Sequence, residues 1–139
     1  MDIEAFLAAV DRHLEAYLRE GDRSTVGRQV AVDFFHPRTR ERLANLAGGT
    51  LPMYKSGVVF HAPTGTVKVK LRIPDAIAED VISALDPPAD ADLTVTDKRP
   101  ATTADGQVLA VTHCAIQIDE ASDDRIEALL AGVGRALAV

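Results

Sequence analysis

Residues 66–73 carry the pattern that most constrains the fold. Four aliphatic side chains alternate there with four polar ones: Val67, Val69, Leu71 and Ile73 against Thr66, Lys68, Lys70 and Arg72. A period of two predicts a strand with one buried face and one solvated face. Because parallel strands are usually covered on both faces, the pattern favours an antiparallel sheet that exposes a basic face to water.

The residues just before this strand predict a hairpin. Pro63 has a fixed φ, which excludes the two-residue primed turns and leaves loops built on a type I turn. A four-residue loop, Ala62–Gly65, pairs Phe60 with Val67 on the buried face, whereas a three-residue loop places His61 there. We expect the four-residue loop.

A second hairpin is predicted further along the chain. Residues 92–98, with Leu93 and Val95 facing inward, pair with residues 107–118 through the loop Pro100–Gly106.

The second strand of this hairpin has two different halves. Residues 108–111 are apolar on both faces, which is typical of a central strand or of an interface. Beyond them the alternation predicts that one face is buried, with Cys114, Ile116 and Ile118. The other face is predicted to point outward, with His113, Ala115 and Gln117. A thiol at such a buried position is expected to be inert.

Helical periodicity appears in residues 2–20, 75–85 and 122–138. Asp75 and Ser122 are suited to cap the second and third of these helices. The last helix has small residues four positions apart, at Ala128, Gly132 and Ala136. Small residues in such a row let another backbone approach closely.

Residues 24–49 fit two patterns. Apolar residues recur with helical spacing at Val26, Val30 and Phe34, but they also alternate as in a strand at Val30, Val32 and Phe34. Both alternatives stay open for the first part of the segment, which we divide at His36. Pro37 suits the first position of a short helix that ends at Gly48-Gly49.

Together these elements predict a single α+β domain over residues 1–139. An antiparallel sheet built from two β-hairpins is covered by N-terminal, central and C-terminal amphipathic helices.

The charges are strongly segregated along the chain. Residues 23–72 hold nine basic and two acidic residues, a net charge of +7, whereas residues 1–22 carry −4 and residues 73–139 carry −9. A basic segment attracts anions over about 8 to 10 Å at moderate ionic strength. The total of −6 therefore hides a polar molecule suited to association.

Composition argues against several classes of protein. The single cysteine excludes an intramolecular disulfide and suits the reducing cytoplasm. No apolar run spans a membrane, and Asp2 and Glu4 stand where a secretory signal has basic residues. Aromatic residues make up only 4% of the chain, which with the net charge disfavours nucleic acid.

Motifs for chemistry are missing from the sequence. It has no phosphate-binding glycine loop and no nucleophile elbow, and its four histidines lack the spacing of metal ligands. We expect no cofactor, no bound metal and no catalytic residue.

The candidate binding site is the basic side of the strand at 66–73, where Lys68, Lys70 and Arg72 recur about 7 Å apart. Three arginines extend this patch if the helix that begins at Pro37 packs nearby: Arg38, Arg40 and Arg42. Three interpretations remain open: a structural role, in strand protection or in pairing with the acidic flanks; an acidic protein partner or subunit; and nucleic acid or another polyanion.

Two families resemble parts of this chain. The order of elements is similar to that of class I secretion chaperones, which are homodimeric binding proteins. The sequence Leu18-Arg19-Glu20-Gly21-Asp22 after an amphipathic helix resembles the start of SnoaL-like cone-fold enzymes, although that pattern ends in strands. The second resemblance implies a pocket that uses some of four residues: Asp33, His36, His61 and His113.

We therefore expect a non-enzymatic protein-binding module, an adaptor, chaperone-like or regulatory protein with an acidic partner, that forms a homodimer. The alternative is the cone-fold enzyme. A cavity on which two of its four candidate side chains converge favours the enzyme, and a flat two-fold interface favours the module.

Overall fold

The computed structural model describes residues 1–18, 22–43, 54–97, 101–102 and 108–139. Its helices are α1 (Ile3–Leu14), α2 (Pro37–Leu43), α3 (Ala78–Leu85) and α4 (Asp123–Leu137), with short 3₁₀ turns at Glu15–Tyr17 and Asp75–Ile77. Its strands are β1 (Arg23–Val26), β2 (Gln29–Phe34), β3 (Ser56–His61), β4 (Thr66–Pro74), β5 (Asp92–Asp97), β6 (Ala101–Thr102), β7 (Val108–Leu109) and β8 (Val111–Ile118).

Six strands form one antiparallel sheet in the order β1-β2-β3-β4-β8-β5. The short strands β6 and β7 pair separately. Alternate residues of the sheet pack with α1, α3 and α4 into one apolar core, in which the ring of Phe6 on α1 stacks on Phe60 of β3 at 4.6 Å. The predicted antiparallel α+β fold is confirmed.

The hairpin β3–β4 has the predicted register. Phe60 pairs with Val67 on the buried face, and His61 pairs with Thr66, so four residues form the loop. Gly65 closes this loop with a φ of +64°, a conformation that favours glycine.

The strands of the second predicted hairpin also pair, but the second strand is shorter than expected. Leu93 pairs with Ile116 on β8. The predicted strand 107–118 is divided at Ala110, whose carbonyl accepts a hydrogen bond from the backbone N–H of Asp75 at 3.0 Å. Most of the predicted loop Pro100–Gly106 lies outside the described residues.

Leu93 and Val95 lie on the helical side of the sheet, as predicted, but they are not buried. Their exposed fractions are 39% and 48%, because β5 is the outermost strand and has a neighbour on one edge only.

A third hairpin, β1–β2, overturns the helical alternative for residues 24–34. Val26 pairs with Gln29 around a two-residue turn, and Gly27 has a φ of +60°, as at the first position of a type II′ turn. The helical spacing arises because Val30 and Phe34 lie two alternations apart on the buried face of β2, whereas Val26 at the end of β1 is 78% exposed. The predicted helix does begin at Pro37, whereas its predicted end at Gly48-Gly49 lies outside the described residues.

Asp75 does not cap α3, so this prediction is wrong. A 3₁₀ turn precedes the helix, which begins at Ala78 without a side-chain cap. The carboxylate of Asp75 instead accepts a hydrogen bond from the hydroxyl of Thr112 at 2.6 Å, and so ties β4 to the start of β8. The predicted cap of α4 is confirmed, since Ser122 accepts a hydrogen bond from the N–H of Arg125.

Helix α4 contacts both α1 and α3 at very short range. A Cβ atom on Gly132 would lie 2.4 Å from the carbonyl oxygen of Leu85 on α3. A Cβ atom on Gly134 would lie 2.8 Å from the carbonyl oxygen of His13 on α1. Gly132 and Gly134 therefore serve packing within this chain, and Ala136 is buried in the core, whereas Ala128 is exposed.

Replacing Gly132 with Ala should lower the free energy of unfolding by about 1 to 2 kcal/mol. Because the added Cβ would meet a backbone carbonyl, the cost of overpacking should lie in the upper part of its typical range of about 1 to 3 kcal/mol, and so exceed the gain of about 1 kcal/mol that alanine brings to a helix. Urea denaturation measures the difference, with Gly134→Ala as a less crowded comparison. A stabilised Gly132→Ala protein, as helix propensity alone predicts, would contradict this packing of α3 on α4.

Cys114 is fully buried on β8, as predicted from the alternation, and burial raises the pKa of its thiol. A thiol reagent should therefore label the native protein slower than the unfolded protein by roughly two orders of magnitude or more, because the sheet must open first. The rates are compared in buffer and in denaturant. Equal rates would mean that the register of β8 is wrong.

Candidate functional site

The sheet has a second face, opposite α1, α3 and α4, which we call the open face. It includes most of the other alternate residues of the inner strands: Gln29, Ala31, Asp33, Gly57, Val59, His61, Thr66, Lys68, Lys70, Arg72, His113, Ala115 and Gln117. These side chains are mostly polar or small. Pro74 and Val111 continue this face at one end, where both are buried. The burial pattern of β4 follows the sequence prediction, with Lys68 and Lys70 exposed and the aliphatic residues buried.

Lys68 and Lys70 stand in the middle of the open face. Lys70 is paired across the sheet with Gly57 and Ala115, and Lys68 with Val59 and Gln117. Both lysine side chains are exposed, and the neighbours of Lys70 are small. Three open depressions of about 290, 270 and 260 Å³ lie around them.

The other residues of the predicted basic patch lie beside this pair. Arg72 is partly buried, and its guanidinium donates to the carbonyl of Lys55 at 3.1 Å. Helix α2 packs at the same end of β4, because the hydroxyl of Thr39 donates to the carbonyl of Arg72 at 2.9 Å. From there Arg38 is exposed, and Arg40 lies over the ring of Phe35 at 5.4 Å.

The last arginine of the patch, Arg42, belongs to α2, but its side chain is outside the described residues. The α2 arginines thus stand at the end of β4 rather than in the row of Lys68 and Lys70.

The acidic flanks of the chain pair with other cations. Within the described ranges, every ion pair links groups other than Lys68 and Lys70: Asp11 with Arg23, Glu127 with Arg12 and His13, Asp90 with Arg125, and Asp123 with the N-terminal amine. The hydrogen bond from His13 and the neighbouring Arg12 lower the pKa of Glu127. No described carboxylate lies within ion-pair distance of Lys68 or Lys70, although Asp92 and Asp33 line two of the depressions beside them.

A chain of hydrogen bonds borders the depression next to Lys68. The Nδ1 atom of His61 lies 2.9 Å from the hydroxyl oxygen of Thr64, which lies 2.8 Å from that of Thr66. The hydroxyl of Thr66 donates to Asp119 at 3.1 Å, and the amide of Gln117 donates to the same carboxylate oxygen at 3.0 Å. The sequence gives no signal for this cluster, because Thr66 and Asp119 are 53 residues apart.

The four residues of the enzyme alternative do not converge. Asp33 and His61 are on the open face, but Asp33 pairs with Gly57 and so stands about 13 Å along the sheet from His61. His113 pairs with Arg72 near the other end of β4. His36 is on the helical side, where it contacts α4.

His36 is fully buried, with a partner for each ring nitrogen. Its Nε2–H donates to the carbonyl of Ala136 at 3.0 Å, and its Nδ1 accepts from the N–H of Arg38 at 3.1 Å. Desolvation lowers the pKa of His36, and the charge of Arg38 acts in the same direction, against the opposing effect of the Ala136 carbonyl. The neutral ring therefore fastens α2 to the end of α4.

The described part of the chain contains neither a candidate metal site nor a candidate membrane-spanning helix. No group of three or more His, Cys, Asp and Glu side chains there is placed to hold a metal ion. No helix of those residues combines the length and apolarity that crossing a bilayer requires.

Comparison of the chain with protein-family models, with curated proteins and with solved structures gave no significant match.

The stability of the protein should depend on the charge state of His36. A lowered pKa in the folded state means that its contribution to stability is complete above the unfolded value of 6.5 and is lost as the pH falls below it. His36→Gln keeps a neutral donor for Ala136 and should flatten the decrease in unfolding free energy between about pH 7 and 5. Urea denaturation of both proteins at several pH values in this range tests the prediction. An equal decrease in the free energy of unfolding for the two proteins would contradict it.

Proposed function

We propose that this chain is a non-enzymatic protein-binding module whose open face binds an acidic segment of a partner protein. The observation that carries the proposal is the unpaired position of Lys68 and Lys70. Both are exposed at the centre of the sheet, and no described carboxylate forms an ion pair with either. Four described carboxylates form ion pairs with other cations.

Protection of an exposed strand edge does not account well for the outward lysines of β4. Lysines protect edge strands, whose free backbone groups can pair with another chain. Strand β4 is an inner strand with β3 on one side and β8 on the other, so its backbone is already paired. The charge of Lys68 and Lys70 is therefore better explained by recognition than by protection.

The spacing of the two lysines suits an extended acidic segment. They are two residues apart on one strand, about 7 Å, which is also the distance between alternate side chains of a second extended chain. A partner with Asp or Glu at alternate positions would place one carboxylate near each ammonium group. Such surface charge pairs chiefly raise the association rate and make binding sensitive to salt.

Other properties of the chain favour a protein partner over nucleic acid. The net charge is −6, and many of the acidic residues are exposed on α1, α3 and α4, so a polyphosphate would be repelled from most directions. A reducing compartment such as the cytoplasm belongs to the same proposal, since the single cysteine is buried and free.

Homodimer formation remains a prediction of the sequence. Two features motivated it, and both have a role within one chain: residues 108–111 lead into an inner strand, and Gly132 packs against α3. A second copy is therefore one possible source of the acidic segment. Light scattering over a concentration series at low salt would detect it.

The proposal is tested with Lys68→Glu combined with Lys70→Glu. Because both side chains are exposed, the free energy of unfolding should change by about 1 kcal/mol or less. Partners recovered from the native host are identified, purified and titrated at low and physiological salt. The double variant should weaken binding by about tenfold or more at low salt, mainly through the association rate.

A charge-matched control separates the open face from net charge. Arg12→Glu with Arg135→Glu changes the net charge equally, at exposed positions on α1 and α4, on the helical side of the sheet. This variant should weaken binding by less than about twofold. Equal losses in both variants, or no loss in the lysine variant, would refute the proposal.

A further inference from the structure

The depression beside Lys68 has the chemistry of a receptor for a carboxylate. Its volume is about 290 Å³, and it is lined by Gln29, Val59, His61, Thr66, Lys68 and Gln117. We propose that Lys68 and His61 bind one carboxylate of the partner's acidic segment in this depression, with a proton held on each ring nitrogen of His61. This inference rests on the proposed function and specifies where one acidic side chain is bound.

The hydrogen-bond chain fixes where the protons lie. The ionised carboxylate of Asp119 can only accept, so the single hydroxyl proton of Thr66 is donated to it. The bond between the two threonines must then use the proton of Thr64. Thr64 has no other proton to give, so the Nδ1–H of His61 donates to its oxygen.

This order of protons leaves the Nε2 atom of His61 for a ligand. In the neutral ring Nε2 carries a lone pair, and in the charged ring it carries a second N–H that can donate to a carboxylate oxygen. A bound carboxylate favours the charged ring, because the new bond is then charge-assisted. The chain through Thr64 and Thr66 supports the same state, since it ends on the negative charge of Asp119.

Lys68 supplies the second donor. It is exposed on β4, and Thr66, two residues before it on the same strand, pairs with His61 on β3, so Lys68 and His61 are diagonal neighbours. Side chains in this relation are within reach of one small ligand. An ammonium group and an imidazolium N–H can each bind one oxygen of a carboxylate.

The charges around His61 favour a monoanion over phosphate. The nearby charged groups are Lys68 on β4, Asp119 and Glu120 beyond β8, and Arg28 on the β1–β2 turn, whose carbonyl accepts from Ala62. Two of these four groups are negative. The amide of Gln117 is already committed to Asp119. A phosphate dianion would need further donors and would be repelled more strongly than a carboxylate.

The experiment uses the whole chain and a small probe. N-acetylglutamic acid α-amide, which has one carboxylate, is titrated at pH 7 and low salt while nitrogen NMR records the His61 ring. Without probe the neutral ring should have its proton on Nδ1. Addition of the probe should shift Nε2 toward the protonated state. A ring that does not respond would overturn the inference.

Matched lysine variants locate the site. Lys68→Gln and Lys70→Gln remove the same charge from two exposed positions of β4, but only Lys68 lies beside His61. The first should raise the dissociation constant of the probe at least about fivefold, and the second less than about twofold. Equal effects would mean diffuse attraction without a site.

The threonine chain is tested by Thr64→Val, which keeps the size of the side chain and removes its hydroxyl. This variant should raise the dissociation constant of the probe by about threefold and abolish the preference for Nδ1–H in the neutral His61 ring. Inorganic phosphate should bind less tightly than the probe, and tighter phosphate binding would overturn the assignment to carboxylate.

The outcomes also separate this inference from the proposed function. If the double lysine variant weakens binding of the partner but the probe does not bind, only the carboxylate site is refuted. If the probe binds at His61 but no partner responds to that variant, the site stands as a small-anion site and the protein-binding proposal fails.

Discussion

The close approach of α4 to α1 and α3 is the constraint on which the rest of this structure depends. Gly132 and Gly134 remove the side chains that would hold the helices apart, so the three helices form one layer on one face of the sheet. The apolar side chains on the helical side of the strands pack against that layer. The other face can then remain polar, and the position of Lys68 and Lys70 follows from it.

Much of the fold can be predicted from local pattern. The alternation in β4 gives the sheet type and the buried face, and Pro63 restricts the turn enough to choose the pairing of Phe60 with Val67. The capped start of α4 is equally local. These predictions hold because a short stretch of sequence contains both the pattern and the residues that end it.

The errors arise where a contact joins distant parts of the chain. Asp75 has the right residue type for a helix cap, but Thr112 competes for its carboxylate from 37 residues away. The β1–β2 hairpin was ambiguous because its strands are short and Gly27 does not reveal its φ in the sequence. For the same reason the lysine row could be predicted, whereas the chain from His61 to Asp119 could not.

The two faces of the molecule differ in the sign of their exposed charge as well as in the helices packed on them. The helical side exposes acidic residues such as Glu4, Glu79 and Asp124, whereas the open face exposes Lys68 and Lys70. Molecules with such a charge dipole attract one another when opposite faces meet, even though each has a net charge of −6. Added salt screens this orientation-dependent attraction together with the repulsion between the net charges, so the osmotic second virial coefficient should fall less steeply with ionic strength than for a uniformly charged sphere of the same net charge.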